Sequence, residues 1–231
     1  MISLVVTIDG PAAAGKSTTA REVARRLGWL YLDSGALYRA LAVRAARLGI
    51  SPDDAEAIRD SLLATQIDLV PTTEGTRVLV DGEDVTGEIR LPAATDLSSR
   101  LAARPEVRER VLAAARRIAG ERSVVAEGRD MGTVGFPDAT VKIFLDASLD
   151  ERARRRGQEL AARGIAGSPQ EVREELEQRD RRDRERAVAP LVAAPGSLVV
   201  DTTGLSTEEQ VEVVLEAIRA RHPDLGAARA G

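Results

Sequence analysis

The residues best suited to chemistry lie near the start of the chain, where the pattern G-x-x-x-x-G-K-S occupies residues 10–17. Two glycines at this spacing let the backbone turn so that consecutive N–H groups point at phosphate oxygens, and the positive end of a following helix strengthens the same site. Lys16 is placed to reach the terminal phosphates of a nucleoside triphosphate, and the Ser17 hydroxyl is placed to bind Mg²⁺. This pattern is a P-loop. The residues expected to bind the phosphates are Gly10, Pro11, Ala12, Ala13, Ala14, Gly15, Lys16, Ser17 and Thr18.

The sequence around the loop supplies the strand and the helix that a P-loop needs. Short runs rich in Val, Ile and Leu alternate with long helical patterns, and their continuous apolarity is typical of strands buried on both faces of a parallel sheet. The predicted strands are residues 4–8, 30–32, 124–126, 141–145 and 198–200. The predicted helices are residues 15–28, 35–48, 52–64, 105–119, 149–163, 169–186 and 207–221.

This alternation predicts an α/β fold of the P-loop NTPase type, a doubly wound five-stranded parallel sheet with helices on both faces. Ligands are then expected at the carboxyl ends of the strands. Residues 67–89 depart from the alternation, because apolar and polar residues alternate there around turn signals at Glu74-Gly75 and Asp81-Gly82. That stretch predicts a small antiparallel insert. Residues 223–231 have no periodicity and are expected to be disordered.

The composition excludes several classes of protein. The 231 residues carry 33 basic and 37 acidic side chains, a net charge of −4, which gives no general attraction to nucleic acids or membranes. The chain has no Cys, which excludes disulfides and thiolate chemistry. No apolar run approaches the ~18 residues needed to cross a bilayer, and no signal-like segment precedes the first strand. We therefore expect a cytoplasmic protein with no membrane or nucleic acid partner.

P-loops occur in switches and in phosphotransferases, and the rest of the chain favours a transferase. A common guanine-reading loop contains N-K-x-D, and this chain has no Asn. A transferase needs a second anion site, and the planar fork of arginine binds phosphate through two bonds. Eight arginines lie at predicted strand ends or on nearby helices: Arg39, Arg108, Arg129, Arg152, Arg155, Arg156, Arg179 and Arg186. The alternative for any one of them is an ordinary ion pair on a helix surface.

Five longer motifs resemble those of the bacterial cytidylate kinases, in the order that is typical of that family. They are DSGALYR at residues 33–39, EGRDMGT at 127–133, FPDA at 136–139, KIFLDA at 142–147 and RDRRDRERAVAPL at 179–191. The resemblance extends over residues 4–218 and includes the small insert. It implies transfer of the γ-phosphoryl group of ATP to CMP or dCMP, with ATP and Mg²⁺ bound at the P-loop.

The resemblance also implies roles for individual residues. The catalytic charges are Lys16 and three arginines of a helical lid at about residues 150–166, namely Arg152, Arg155 and Arg156. The monophosphate is bound by Arg39, Arg129 and Arg186, with Ser34 and Tyr38 beside them. Cytosine is recognised by Asp130 as hydrogen-bond acceptor and by Arg108 and Ser99 as donors. The sugar is bound by Arg179 and Asp183.

The resemblance further implies one kinase domain and one departure from the family. The core is expected at residues 1–35, 100–149 and 187–222, and the monophosphate-binding region at about 36–99 with its insert at 65–90. The family often has Asp where this chain has Glu127, so we assign no role to that carboxylate. We expect the protein to be a monomer.

Two other functions stay open. Another small-substrate P-loop kinase, acting on UMP, AMP or shikimate, would share the phosphate chemistry and differ at the proposed base-recognition residues. A non-catalytic regulator would bind nucleotide, or use the arginine-rich residues 179–186 to bind nucleic acid. Asp180, Asp183 and Glu185 interrupt that run, which favours a salt-bridged helix face.

Overall fold

A computed structural model of the chain describes residues 3–72, 75–162, 164–165 and 167–223. Its main element is a five-stranded parallel sheet with the strand order β2-β6-β1-β7-β8. Strand β1 pairs in parallel with β6 and β7, and β7 pairs in parallel with β8. The five strands are β1 (Val5–Asp9), β2 (Leu30–Asp33), β6 (Val124–Gly128), β7 (Val141–Asp146) and β8 (Leu198–Asp201). All five strands predicted from the sequence are confirmed within two residues.

Helices alternate with these strands, and several begin or end at the residues that local chemistry favours. Gly28 directly follows the last residue of helix α1 and has a left-handed φ of 70°, which is typical of a residue that ends a helix. Helices α7 and α8 each begin with a capping box, formed by Ser168 with Glu171 and by Ser206 with Glu209. The helices are α1 (Lys16–Leu27), α2 (Ser34–Leu48), α3 (Ala55–Ala57), α4 (Pro92–Leu101), α5 (Pro105–Ala119), α6 (Leu149–Ala162), α7 (Pro169–Glu185) and α8 (Thr207–Arg221).

The small insert is antiparallel, as the alternation of apolar residues predicts. Its strands are β3 (Ile67–Thr72), β4 (Gly75–Val80) and β5 (Glu83–Asp84), in the order β3-β4-β5. Asp81 and Gly82 join β4 to β5 with φ values of 50° and 85°, as a tight hairpin turn requires. The other expected turn includes Glu74, which lies outside the described residues.

The structure differs from the expected secondary structure in three places. The helix expected at residues 52–64 is only the single turn of α3 followed by the π-helical turn Ile58–Leu62. Helix α4 was not predicted, because its segment PAATDLSSRL is short and consists mainly of small and polar residues. Strand β8 is not buried on both faces, since it is an edge strand and Val199 is 59% exposed.

The chain divides into two compact units. The first combines the residues up to Tyr31 with those from Ser123 onward, and the second is Leu32–Arg122. The core of the first unit is formed by side chains of α1, β1, β7 and α8, with Ile8, Ile143 and Ile218 at most 1% exposed. The core of the second includes Leu37 and Leu101, both fully buried.

The functional boundaries expected for the core, the monophosphate-binding region and the lid stay predictions. Residues 163 and 166 of the expected lid, and residues 224–231 of the expected disordered tail, lie outside the described residues. Within the described part of the chain, no helix is long and apolar enough to cross a membrane.

Candidate active site

The P-loop joins β1 to α1, and both of its glycines have positive φ angles that other residues rarely adopt. Gly10 has a φ of 149°, and a Cβ atom there would lie 1.9 Å from the carbonyl oxygen of Leu145 in β7. Gly15 has a φ of 93°, and a Cβ atom there would lie 2.3 Å from Oε1 of Gln210. The close approach of the loop to the neighbouring strand and helix therefore depends on both glycines.

Lys16 is folded back onto its own loop. Its ammonium donates a 2.6 Å hydrogen bond to the Pro11 carbonyl, and the residue is 5% exposed. Burial, and then the nearby charge of Arg129, lower the pKa of Lys16 to about 7, against the opposing effect of Glu127. A buried ammonium beside a guanidinium is poorly compensated, so this lysine favours the arrival of an anion.

The residues after Lys16 differ sharply in exposure. Ser17 and Thr18 are exposed at the start of α1, which leaves the Ser17 hydroxyl open to a ligand. Thr19 is fully buried, and its hydroxyl donates to Oε1 of Gln210 at 3.1 Å. Gln210 in turn donates to the Leu205 carbonyl at 3.1 Å. Buried hydrogen bonds thus fix the first turn of α1 to α8 and leave its outer hydroxyls available.

Two buried carboxylates beside Lys16 were not assigned from the sequence. Asp9 ends β1 and accepts hydrogen bonds from the backbone N–H groups of Met131 and Gly132 at 2.9 and 2.7 Å. Burial outweighs these bonds and raises the pKa of Asp9 to about 6. Glu127, in β6, accepts a 2.5 Å hydrogen bond from the Tyr31 hydroxyl. Their position in the sequence could have indicated them, since both residues lie at or next to the carboxyl end of a parallel strand, where ligands are expected.

Arginines and acids that directly follow β6, or lie near or just after the end of α7, form a second cluster in the same unit. Nε of Arg129 donates to Asp183 at 2.9 Å, and Arg186 lies 3.8 Å from Asp130 and 3.9 Å from Asp183. Burial opposes ionisation of Asp183, but Arg129 and then Arg179 keep its pKa below the usual value. The charge of Arg179 also lowers the pKa of Lys16. The structure therefore brings Arg129, Asp130, Arg179, Asp183 and Arg186 together.

The three arginines expected on the lid all lie on α6, but in different surroundings. Arg152 is buried in an ion pair with Asp180 at 2.6 Å. Arg155 pairs with Glu151 at 2.8 Å and donates to the Thr202 carbonyl at 2.6 Å. Arg156 pairs with Glu159 at 2.9 Å. Arg152 and Arg155 are thus already fixed by acceptors, and their expected action over a transferred phosphoryl group stays a prediction.

The remaining residues that were expected to bind the substrate belong to the second unit. Arg39 pairs with Asp33 at 2.9 Å, and Asp33 also accepts the backbone N–H of Ala36 at the start of α2. The Arg108 guanidinium lies 5.7 Å from the centre of the Tyr38 ring, and its Nη1 donates to the Ala102 carbonyl at 3.1 Å. Ser34 is buried and Ser99 is half-buried. Arg39, Tyr38 and Ser34 share one helix, whereas Arg108 lies on α5 and Ser99 on α4.

Comparison with known proteins identifies the family. A family model described as cytidylate kinase matches residues 6–220. Cytidylate kinases of Geobacillus kaustophilus and Methylococcus capsulatus are each 48% identical to the chain, over 94% of it and over 96% and 97% of their own lengths. A solved structure of an uncharacterized protein from Eubacterium ventriosum covers 94% of this chain and 99% of its own, with a TM-score of 0.52 at 10% identity, which supports the fold alone. The chain belongs to the cytidylate kinase family.

Proposed function

We propose that this chain transfers the γ-phosphoryl group of ATP to CMP or dCMP, giving CDP or dCDP and ADP. The observation that carries the proposal is the match to the cytidylate kinase family over residues 6–220, in a chain whose P-loop holds a buried lysine beside an arginine cluster. The family match supports CMP or dCMP as the phosphoryl acceptor, and the geometry of the P-loop supports ATP as the phosphoryl donor.

The P-loop binds the phosphates of ATP. Its backbone N–H groups and the start of α1 provide fixed partial positive charge. Lys16 exchanges the Pro11 carbonyl for phosphate oxygens, because a charged acceptor forms a stronger hydrogen bond with an ammonium than a neutral carbonyl does. The lysine then neutralises charge on the transferred group.

The residues present fit a magnesium ion held mainly by the nucleotide. Mg²⁺ usually takes one or two protein ligands together with substrate phosphates and water. The exposed Ser17 hydroxyl is the protein ligand we propose, since both oxygens of Asp9 accept backbone N–H groups. In the described part of the chain, no group of three or more acidic or histidine residues could hold a metal alone. When bound, the ion would neutralise charge on the phosphates.

Arginines bind the acceptor phosphate, and no catalytic base is required. We assign this phosphate to Arg39, Arg129 and Arg186, together with Ser34 and Tyr38. The second pKa of a phosphate monoester is about 6, so the attacking oxygen is already ionised at pH 7. The chain therefore acts by alignment and charge neutralisation, to which Arg152, Arg155 and Arg156 contribute at the transferred group.

The acceptor base is selected by hydrogen-bond pattern. Cytosine presents an N4 amino donor, for which we propose Asp130, together with N3 and O2 acceptors, for which we propose Arg108 and Ser99. Uracil presents a carbonyl instead of the amino group. It would leave a buried acceptor unpaired at a cost of about 1–3 kcal/mol. Arg179 and Asp183 are assigned to the sugar.

The arginine-rich end of α7 supports the kinase over a nucleic-acid-binding protein. Asp180 pairs with Arg152, and Asp183 pairs with Arg129 and Arg186. These acids tie the segment to other parts of the first unit, so it does not form a continuous basic strip. We propose a cytoplasmic monomer with nucleotides as its small-molecule substrates.

An assay of ADP release with ATP, Mg²⁺ and a panel of CMP, dCMP, UMP, AMP and GMP tests the proposal. We expect preference for the two cytidine monophosphates, and turnover of UMP or AMP in their place would support the alternative kinase. Lys16→Ala is expected to abolish most turnover. Lys142→Ala, which changes the only other lysine, is the matched control and is expected to stay active.

A further inference from the structure

Arg152 is held more tightly than a mobile lid residue needs to be. Its Nη1 lies 2.6 Å from Oδ2 of Asp180 and donates to the Ala12 carbonyl of the P-loop at 3.4 Å. Its Nε donates to the Ala147 carbonyl at 2.9 Å. The guanidinium thus joins α6, α7 and the P-loop, and its side chain is only 5% exposed.

Packing of the two helices does not require this ion pair. An apolar cluster already connects the P-loop, α6 and α7, through Ala12, Val172 and Leu176, with Leu149 and Ala153 against them. Burying an ion pair costs desolvation energy that the pairing often only just repays. Asp180 is 5% exposed, and its Oδ1 has no hydrogen-bond partner among the residues that the structure describes. Stability is therefore a weak reason for a carboxylate at this position.

The pattern of bonds leaves one end of the guanidinium available. Nε and Nη1 of Arg152 are occupied, whereas its Nη2 makes no hydrogen bond to any residue in the described ranges. Arg155 differs, because Nε, Nη1 and Nη2 all have partners at Glu151 and Thr202. Arg152 thus lies against the P-loop, and its Nη2 can donate a hydrogen bond to a ligand.

We propose that Asp180 is a positioning residue that fixes Arg152 against the P-loop before nucleotide binds. The inference rests on the proposed function, because it gives Nη2 of Arg152 a phosphate oxygen of ATP as its acceptor. Holding the arginine in place removes the conformational entropy that a flexible arginine would lose when it meets the phosphate. Asp180 therefore acts through Arg152 and does not itself touch the substrates.

The isosteric variant Asp180→Asn removes the charge and keeps the shape. We expect kcat to fall about 10- to 30-fold, which corresponds to the rotamer freedom of one arginine. The KM for CMP should change less than about threefold, because Asp183 still holds Arg129 at 2.9 Å. If Asp180 only stabilised the fold, Asp180→Asn would lower the melting temperature without a selective fall in kcat relative to KM.

The matched control is Asp150→Asn. Asp150 pairs with Arg173 at 3.1 Å between the same two helices, but the Asp150 side chain is 84% exposed. This variant is expected to keep the kcat of the unaltered protein within about twofold, since exposed pairs contribute little. Equal kcat values in the Asp180→Asn and Asp150→Asn variants would overturn the proposal.

A double variant tests whether Asp180 acts through Arg152 even where Asp180→Asn alone does not fold. Arg152→Gln with Asp180→Asn leaves a neutral pair, which avoids a buried unpaired charge. Its kcat is expected to equal that of Arg152→Gln within about twofold. A further tenfold fall would overturn the proposal. The same assay of the unaltered protein tests the proposed function, so the two ideas can fail separately.

Discussion

Nucleotide binding above neutral pH is expected to draw a proton from solvent, because Lys16 changes its surroundings when a phosphate arrives. In the structure, burial and then Arg129 lower the pKa of Lys16 to about 7. An anion next to the ammonium favours its charged form and raises that pKa again. The bound protein then holds a proton on Lys16 that the free protein does not.

The size of this effect follows from the two states of Lys16. With a pKa of about 7, roughly a tenth of the free protein carries the proton at pH 8, so binding should take up as much as about 0.9 proton. The affinity for ATP should correspondingly weaken by up to about tenfold for each pH unit above 7. Ionisation of ATP itself adds little to the proton uptake at pH 8, because its phosphates are already ionised at that pH.

Calorimetry of ATP binding at pH 8 in two buffers of different ionisation enthalpy measures the proton count directly. The matched variant is Lys16→Arg, whose guanidinium stays charged, so it should bind without proton uptake. The reasoning is refuted if the unaltered protein takes up no more protons than the arginine variant. The chain has only two lysines, so an isotope-labelled lysine sample gives a second, spectroscopic view of the same titration.

Three other predictions concern single residues. Gly10→Ala should lower the free energy of unfolding by at least about 3 kcal/mol. Gly49→Ala should lower it by only about 1 kcal/mol, because Gly49 has a φ of 68° and open space around the position of a Cβ atom; equal losses in urea titrations would contradict this. The folded pKa of Asp9, about 6, lies above its ordinary value of 3.8, so the stability that the protonated carboxyl contributes is present below pH 4 and lost as pH rises to 6. Asp9→Asn should lose less unfolding free energy over that range, and parallel curves of unfolding free energy against pH would contradict this. Asp130→Ala should narrow the ratio of kcat/KM for CMP to that for UMP, and an unchanged ratio counts against base recognition there.

The P-loop and the parallel sheet could be predicted because their signals are local. The spacing of Gly10, Gly15 and Lys16 sets the backbone path, and continuous apolar runs mark the strands. Helix α4 was not predicted because its segment is short and consists mainly of small and polar residues. The shortness of α3 could not be predicted either, since an amphipathic pattern does not distinguish an α-helix from a π-helical turn.

The partners of the charged residues could not be predicted, because they are set by the fold. Asp180 is 28 residues from Arg152 in the sequence (180 − 152) and lies 2.6 Å from it in the structure. The sequence of residues 179–186 predicted that Asp180 lies on a salt-bridged helix face, but it did not identify the arginine that it pairs with. The resting contact of Lys16 with the Pro11 carbonyl likewise depends on the path of the loop. Residue types predicted the chemistry, whereas pairing needed the three-dimensional structure.

The central claim is that phosphate moves from ATP to a cytidine monophosphate, and phosphorus NMR of one reaction mixture tests it most directly. With ATP, Mg²⁺ and CMP, the account predicts that new coupled resonances of the α and β phosphates of CDP grow as ATP becomes ADP. Growth of inorganic phosphate with CMP unchanged would contradict it.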